Sequence, residues 1–367
     1  MKIAMLGHKG LPSRAGGVEV VVQHLSTGMA RRGHAVTCYN RPGFSPRAES
    51  YRGVRLVTVP VLGKGGMEAV TASFFACLGC AFGTAEVVHI HAEGPAFFSF
   101  LPRLAGKRVV VTIHGLDWKR EKWRGSFASR FIKWGEEMAV RYAHCIVVLS
   151  HSMQRYFLES YGRETVLIPN GVEIPEHLEP EEIGKLGLQK DGYVLFLGRL
   201  VPEKGVHTLI HAYGKVKTDK KLVIAGDSSH TDDYVKELKR LAQGDKRVVF
   251  AGFVQGRLLG ELYSNAFVYV LPSELEGMPV GLLEAMSHGC CCLVSDIPAC
   301  TEVLGTAGIS VPAGNVDALA WELQRLCDGS VELSEYRAAA RQACHRYDWE
   351  EIVERTLECY REDSADQ

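Results

Sequence analysis

Short runs of aliphatic and β-branched residues recur along this chain, each separated from the next by a longer segment with helical spacing, and the whole pattern is played through twice. In the first half the runs lie at 2–7, 35–39, 54–59, 87–91, 109–114, 145–149 and 166–168. Apolar strands alternating with helices demand a parallel sheet, because parallel neighbours are joined only by a crossover and the crossover helix covers the sheet face. From 169 to 192 the alternation lapses into Pro169-Asn170-Gly171-Val172-Glu173-Ile174-Pro175 and a charged stretch without periodicity, as a linker would. It restarts at 193–197, 222–225, 248–250, 267–271, 292–294 and 309–311. Near the end Trp349, Ile352, Val353, Leu357 and Tyr360 fall on one helical face. The expected fold class is α/β, with two doubly wound parallel-sheet, Rossmann-like domains at 1–172 and 173–345 and a helix in 346–367. Open parallel sheets bind ligands outside the carboxyl ends of their strands, so two such domains facing one another place ligands in the cleft between them.

Size and composition agree with that division. A chain of 367 residues with 46% hydrophobic and 23% charged residues suits two packed cores and excludes a disordered or fibrous class. The formal net charge of −1 gives no reason to expect a nucleic-acid partner. Eleven cysteines, an odd number that includes Cys290-Cys291-Cys292, read as buried thiols in a reducing compartment, so a cytoplasmic protein is expected. Residues 1–7 are shorter than the apolar core of a signal peptide and read as a first strand. The most apolar helical segment, 67–83, carries Glu68 and falls short of the ~20 residues that a membrane span needs.

Two loops of the second domain carry the strongest chemical signals. Gly198-Arg199-Leu200-Val201-Pro202-Glu203-Lys204-Gly205 follows a strand and precedes a helix. Arg199 can grip a phosphate with two parallel N–H groups, Lys204 adds a point charge, and the helix start adds oriented N–H groups. The second signal is Ser273-Glu274-Leu275-Glu276-Gly277-Met278-Pro279-Val280-Gly281-Leu282-Leu283-Glu284. Pro279 suits a first helical turn, leaving the N–H groups of Gly277 and Met278 for an anion such as a diphosphate. Glu284 sits in an apolar run, where a carboxylate needs hydrogen-bond donors, and ribose hydroxyls would supply them. The plainer alternative makes Glu276 a surface acid and Glu284 a helix-face partner of some cation.

Spaced in this way, the two acids and the Gly-Arg and Lys-Gly pairs resemble glycosyltransferase family 4, over essentially the whole chain. Its members have the GT-B fold and transfer sugars with retention of anomeric configuration. The resemblance implies that Arg199 and Lys204 neutralise a donor diphosphate, that Glu276 contacts the transferred sugar, and that Glu284 binds the nucleotide ribose. Val254, in Phe250-Ala251-Gly252-Phe253-Val254, falls near the expected base pocket, and the terminal helix is expected to cross back to the first domain.

In the first domain Gly16 and Gly17 open the first long helix just ahead of Glu19, and their small size lets a ligand approach the backbone. By resemblance Gly17 lies over the donor phosphates, with Gly16 and Glu19 on the acceptor side. The glycines lack the G-x-G-x-x-G spacing of a dinucleotide fold. His114 ends a strand and, by resemblance, touches the sugar near its anomeric centre, while Asp117 is a further acceptor-side candidate. No Asp-x-Asp stands ready to hold a divalent ion, so a metal-independent transfer from a UDP-, GDP- or dTDP-sugar is expected, with no cofactor. The acceptor would be a glycan or a polyprenyl-linked sugar of the cell envelope. The segment 118–134, with three of five tryptophans among Lys and Arg, suggests peripheral docking on an anionic membrane. A helix packing its aromatics on the sheet is the alternative there. Two rival functions use the same architecture: a sugar-nucleotide 2-epimerase and a non-catalytic two-lobed binding protein.

Overall fold

The structure is a computed structural model describing residues 1–13, 16–44, 48–119, 125–228 and 231–361. The chain forms two compact units, Met1–Gly171 with the segment that begins at Trp349, and Val172–Asp348.

The first unit contains β1 (Lys2–Leu6), β2 (Ala35–Asn40), β3 (Ser50–Tyr51), β4 (Val54–Thr58), β5 (Val87–His91), β6 (Arg108–Ile113), β7 (Cys145–Val148) and β8 (Val166–Leu167). They form one sheet in the order β3-β4-β2-β1-β5-β6-β7-β8, parallel throughout except for β3. That two-residue strand is too short to leave an alternation in the sequence. It hairpins onto β4 through Arg52 and Gly53, both at positive φ. The helices of this part are α1 (Gly17–Arg31), α2 (Gly66–Phe82), α3 (Glu93–Ala96), α4 (Phe100–Leu104), α5 (Phe127–Tyr142) and α6 (His151–Tyr161). Each face of the sheet has its own core. One contains Val22, Leu25 and Met29 of α1, and the other contains Ala72, Ala76 and Cys77 of α2 with Ala139 of α5.

The second unit's sheet comprises β9 (Tyr193–Leu197), β10 (Lys221–Ala225), β11 (Val248–Gly252), β12 (Val268–Leu271), β13 (Cys292–Ser295) and β14 (Ile309–Val311). Its order is β11-β10-β9-β12-β13-β14, all parallel, so the order reverses direction at β9. The helices are α7 (Val206–Tyr213), α8 (Asp232–Leu241), α9 (Gly256–Ser264), α10 (Val280–Ser287), α11 (Pro298–Leu304), α12 (Val316–Cys327) and α13 (Leu333–Ala343). Linker residues Glu181, Glu182 and Ile183 donate their N–H groups to Glu261 of α9, at 2.8, 2.6 and 3.1 Å.

The last helix, α14 (Trp349–Arg361), belongs to the first unit. Trp349 stacks on His24 at 4.5 Å between ring centroids, and Glu350 pairs with Arg31 and Arg32. Gly28 of α1 is what admits it, since a Cβ there would lie 2.7 Å from the Val353 side chain. All eleven cysteines are free thiols, and ten of them are buried. Among the described residues no helix is long and apolar enough to cross a membrane.

Candidate active site

In the second unit the loops that leave β9 and β12 are held together by glycine. Gly205 has φ +65°, and a Cβ on it would lie 2.1 Å from the Pro272 carbonyl oxygen, so the loop after β9 rests against the end of β12. The Glu274 N–H donates to the Glu203 carbonyl at 2.9 Å across the same junction. The consequence is an ion pair the sequence does not announce. Lys204 Nζ lies 2.5 Å from Glu276 Oε1, with side chains only 14% and 9% exposed, and the Ser273 hydroxyl donates to that same oxygen at 2.7 Å. Two residues assigned to separate parts of a ligand are therefore each other's counter-ions.

Glu284 is half-buried on α10 and accepts from the Tyr263 hydroxyl at 3.2 Å. Tyr269, wholly buried, donates to the Leu197 carbonyl at 3.3 Å, and burial first, then the charges of Glu276 and Glu284 among others, push its phenol well above the ordinary value. Tyr263 and Tyr269 lie 5.8 Å apart between ring centroids, so the hydroxyl that reaches Glu284 belongs to a tyrosine pair. Arg199 follows β9 by two residues, and its Gly198 neighbour is packed so closely that a Cβ on Gly226 would lie 1.8 Å from the Gly198 oxygen. Gly277 is half-buried and Met278 buried, just ahead of α10. Pro279 has ψ 105°, so it stands as the cap and the helix begins at Val280, one residue later than the sequence suggests. Val254 is buried just beyond β11, while Phe253 beside it is 56% exposed. Ser273, Tyr263 and Tyr269 carried no sequence signal, because a tyrosine inside an apolar run reads simply as core.

The first unit gathers its polar groups at the carboxyl ends of β1, β5 and β6. Gly7, at φ +103°, lets β1 close on β5, where a Cβ would lie 2.1 Å from the His91 oxygen. His114, half-buried after β6, shares a hydrogen bond between its Nε2 and Nδ1 of His91 at 3.0 Å. His91 stacks on His89, which contacts the Tyr360 hydroxyl at 2.6 Å and the Thr112 hydroxyl at 2.7 Å. Burial pulls His89 down to about 3 and holds His91 well below the ordinary value, so both are neutral. The alternation His89-x-His91 within β5 was the available signal for this stack, since residues two apart share a strand face.

His8, fully buried, reaches Asn40 Oδ1 at 3.0 Å through Nε2, and burial lowers it to about 4. It lines a small cleft with Gly7, Tyr39, Arg41 and Ser73. Glu19 is buried and accepts the Lys9 N–H at 3.0 Å, so its carboxylate pins the loop after β1. Gly16 caps α1, and a Cβ there would lie 2.5 Å from Glu19 Oε2; Gly17 is exposed at the helix start. Asp117 donates its N–H to Glu93 Oε2 at 2.8 Å. Of 118–134, residues 120–124 lie outside the described residues. The rest divides: Trp118 turns inward, its Nε1 donating to Glu136 at 3.0 Å, whereas Phe127 and Trp134 are 63% and 44% exposed and meet edge to face.

Residues 15–175 match the family model described as Glycosyltransferase Family 4, and residues 191–329 match that described as Glycosyl transferases group 1. The chain is 31% identical to a phosphatidyl-myo-inositol mannosyltransferase of Mycobacterium leprae, over 76% of this chain and 74% of that one. It is 28% identical to an alpha-maltose-1-phosphate synthase of Mycobacterium tuberculosis, over 98% and 99%. Among solved structures, an Anabaena protein in complex with UDP-glucose superimposes with a TM-score of 0.79 at 22% identity, covering 98% of both chains, a likeness of fold.

Proposed function

This chain belongs to glycosyltransferase family 4 and is a glycosyltransferase of GT-B fold, and from that premise we propose that it moves a hexosyl or deoxyhexosyl group, with retention, from a nucleoside-diphosphate sugar to a hydroxyl of a glycan or polyprenyl-linked acceptor. The observation that carries this reading is the meeting of Lys204 and Glu276 where the loops that leave β9 and β12 come together, with Glu284 on the helix that follows. A departing nucleoside diphosphate develops negative charge, which Lys204, Arg199 and the N–H groups of Gly277 and Met278 would stabilise without a metal. Glu276 would then hold the transferred sugar, and Glu284 the ribose hydroxyls. Val254 would lie by the base and Gly17 over the phosphates. In the first unit His114 would orient the reacting groups near the anomeric carbon. Gly16, Glu19 and Asp117 would shape the acceptor side. The departing phosphate takes the acceptor proton, so no protein base is assigned.

Supporting the donor class is the UDP-glucose held by the Anabaena protein of like fold, and supporting a lipid-borne acceptor is the lipid named in the mannosyltransferase relative. The proposed setting is cell-envelope polysaccharide synthesis at the cytoplasmic face of the membrane, with Phe127, Trp134 and Arg130 resting on anionic headgroups. Thermal shift with UDP, GDP, dTDP and ADP identifies the donor, followed by transfer from the matching sugar nucleotides. One nucleotide is expected to raise the melting temperature and its sugar to be transferred with retained configuration; no response to any of the four would overturn the reading. Co-sedimentation with anionic vesicles at low salt tests the docking face, and a protein that stays in the supernatant removes the membrane from the proposal.

A further inference from the structure

Glu93, the first residue of α3, is wholly buried and takes no part in the transfer outlined above. Gly135 explains its surroundings. A Cβ at 135 would lie 2.0 Å from the Glu93 carbonyl oxygen, so α5 rests directly on the backbone of α3 and brings Glu136, also wholly buried, alongside. Glu136 Oε1 receives the Lys133 ammonium at 2.7 Å and the hydroxyls of Tyr156 and Tyr161 at 2.7 and 2.5 Å, while Oε2 receives the Trp118 indole N–H. Glu93 Oε2 receives the Asp117 N–H, and Glu93 Oε1 is buried with no donor facing it among the described residues.

Charge decides what that bare oxygen is. Among the described residues the cluster joins two buried carboxyls and the nearby Asp117 to one ammonium in direct contact, Lys133, with Lys119 more distant over the Trp118 and Tyr156 rings. A second buried carboxylate would be uncompensated beside the first, and such pairs keep a proton between them. A buried carboxyl oxygen without a donor is satisfied once it becomes the donor itself.

We propose that Glu93 is a positioning residue held in its acid form: Oε1–H donates to Glu136, Oε2 accepts from Asp117, and the shared proton fixes the loop from His114 to Trp118. Burial first, then the hydrogen bond to Glu136, raises the Glu93 carboxyl well above its usual range. Burial acts against Glu136, but hydrogen bonds from Glu93, Lys133, Tyr161 and Tyr156 hold it below. The loop is anchored twice, by its Asp117 N–H on Glu93 and by its Trp118 indole on Glu136, and the Trp118 carbonyl takes a third bond from the Ser129 hydroxyl at 2.9 Å. Loss of the proton sets two like charges against each other beneath that loop. The kinetic consequence rests on the reading of His114 and Asp117 as lining the acceptor side.

Glu93→Gln keeps both bonds, because its amide N–H replaces the acid donor and its carbonyl still accepts from Asp117, but it cannot ionise. Glu93→Ala removes both. The infrared stretch of a protonated carboxyl is expected in the unsubstituted protein at neutral pH and to vanish in Glu93→Gln. Turnover of Glu93→Gln is expected to stay near the starting rate and to lose the part of the alkaline decline that belongs to Glu93. Glu93→Ala should lose kcat on the order of 10²-fold through a misplaced loop, with the Trp118 indole N–H resonance displaced. A band that survives in Glu93→Gln, or an alanine variant with full kcat and an unmoved indole resonance, overturns the proposal. Should Glu93→Ala not fold, the infrared band and pH profile of Glu93→Gln decide alone. If no donor and acceptor give turnover, it is the transferase reading that fails, and the band and the indole resonance still report on the proton and the loop.

Discussion

Lys204 and Glu276 lie 72 positions apart in sequence, yet each is the other's nearest opposite charge, and both are largely shielded from water. Removing one leaves the other without compensation, whereas removing both leaves neither stranded. Lys204→Ala is expected to lower kcat/KM by on the order of 10²–10³-fold and to lower the melting temperature. Lys204→Ala with Glu276→Gln should recover most of the melting temperature and none of the rate. Steady-state kinetics beside thermal denaturation separates the two effects, and a double variant no more stable than the single one would refute the pairing. Gly205→Ala tests the junction beneath them. Its Cβ meets the Pro272 oxygen at a φ of +65°, so a loss of about 1–3 kcal/mol in chemical denaturation is expected. The sequence made Arg199, Lys204, Glu276 and Glu284 legible as charges beside strand ends. It could not reveal that Lys204 and Glu276 pair, or that Tyr269 feels both acids, because those contacts exist only once β9 and β12 are neighbours.

At the scale of elements, α1 carries the contact that seats α14. Gly28→Leu puts a branched side chain where Val353 already stands, and overpacking of this kind destabilises by about 1–3 kcal/mol. Hydrogen exchange should then quicken across 349–361 while β9 to β14 keep their protection; unchanged exchange in α14 would show that the glycine is not what seats it. The strands were readable because parallel strands buried on both faces leave unbroken apolar runs, as in β5 and β7. What eluded the pattern were elements decided by geometry rather than hydropathy: β3, two residues long, and the start of α10, where Pro279 stops at the cap. Trp118 and Trp134 look alike in sequence, yet one faces an acid cluster and the other faces water. Only the placement of Glu136 on α5 distinguishes them.

For the whole molecule, the buried neutral histidines set a pH limit on stability. His8 and His89 have folded-state values of about 4 and about 3, both below the 6.5 of an exposed histidine. The unfolded chain therefore binds protons that the folded chain refuses, so their stabilising contribution is complete above pH 6.5 and drains away as the pH falls toward the folded values. Protonating either one in the folded state would cost on the order of 3–5 kcal/mol. Urea midpoints are expected to fall steadily from pH 7 to pH 4, and His8→Gln should flatten part of that slope; a slope left unchanged would show that His8 does not contribute to it.

Tyr360 on α14 supplies the hydroxyl that meets His89 at the centre of the first sheet. During synthesis every strand of that sheet leaves the ribosome before any residue of α14 does, and the entire second unit must emerge in between. A nascent first half therefore waits with His89 holding Thr112 but lacking its second partner, and with one flank of its core uncovered until α14 arrives.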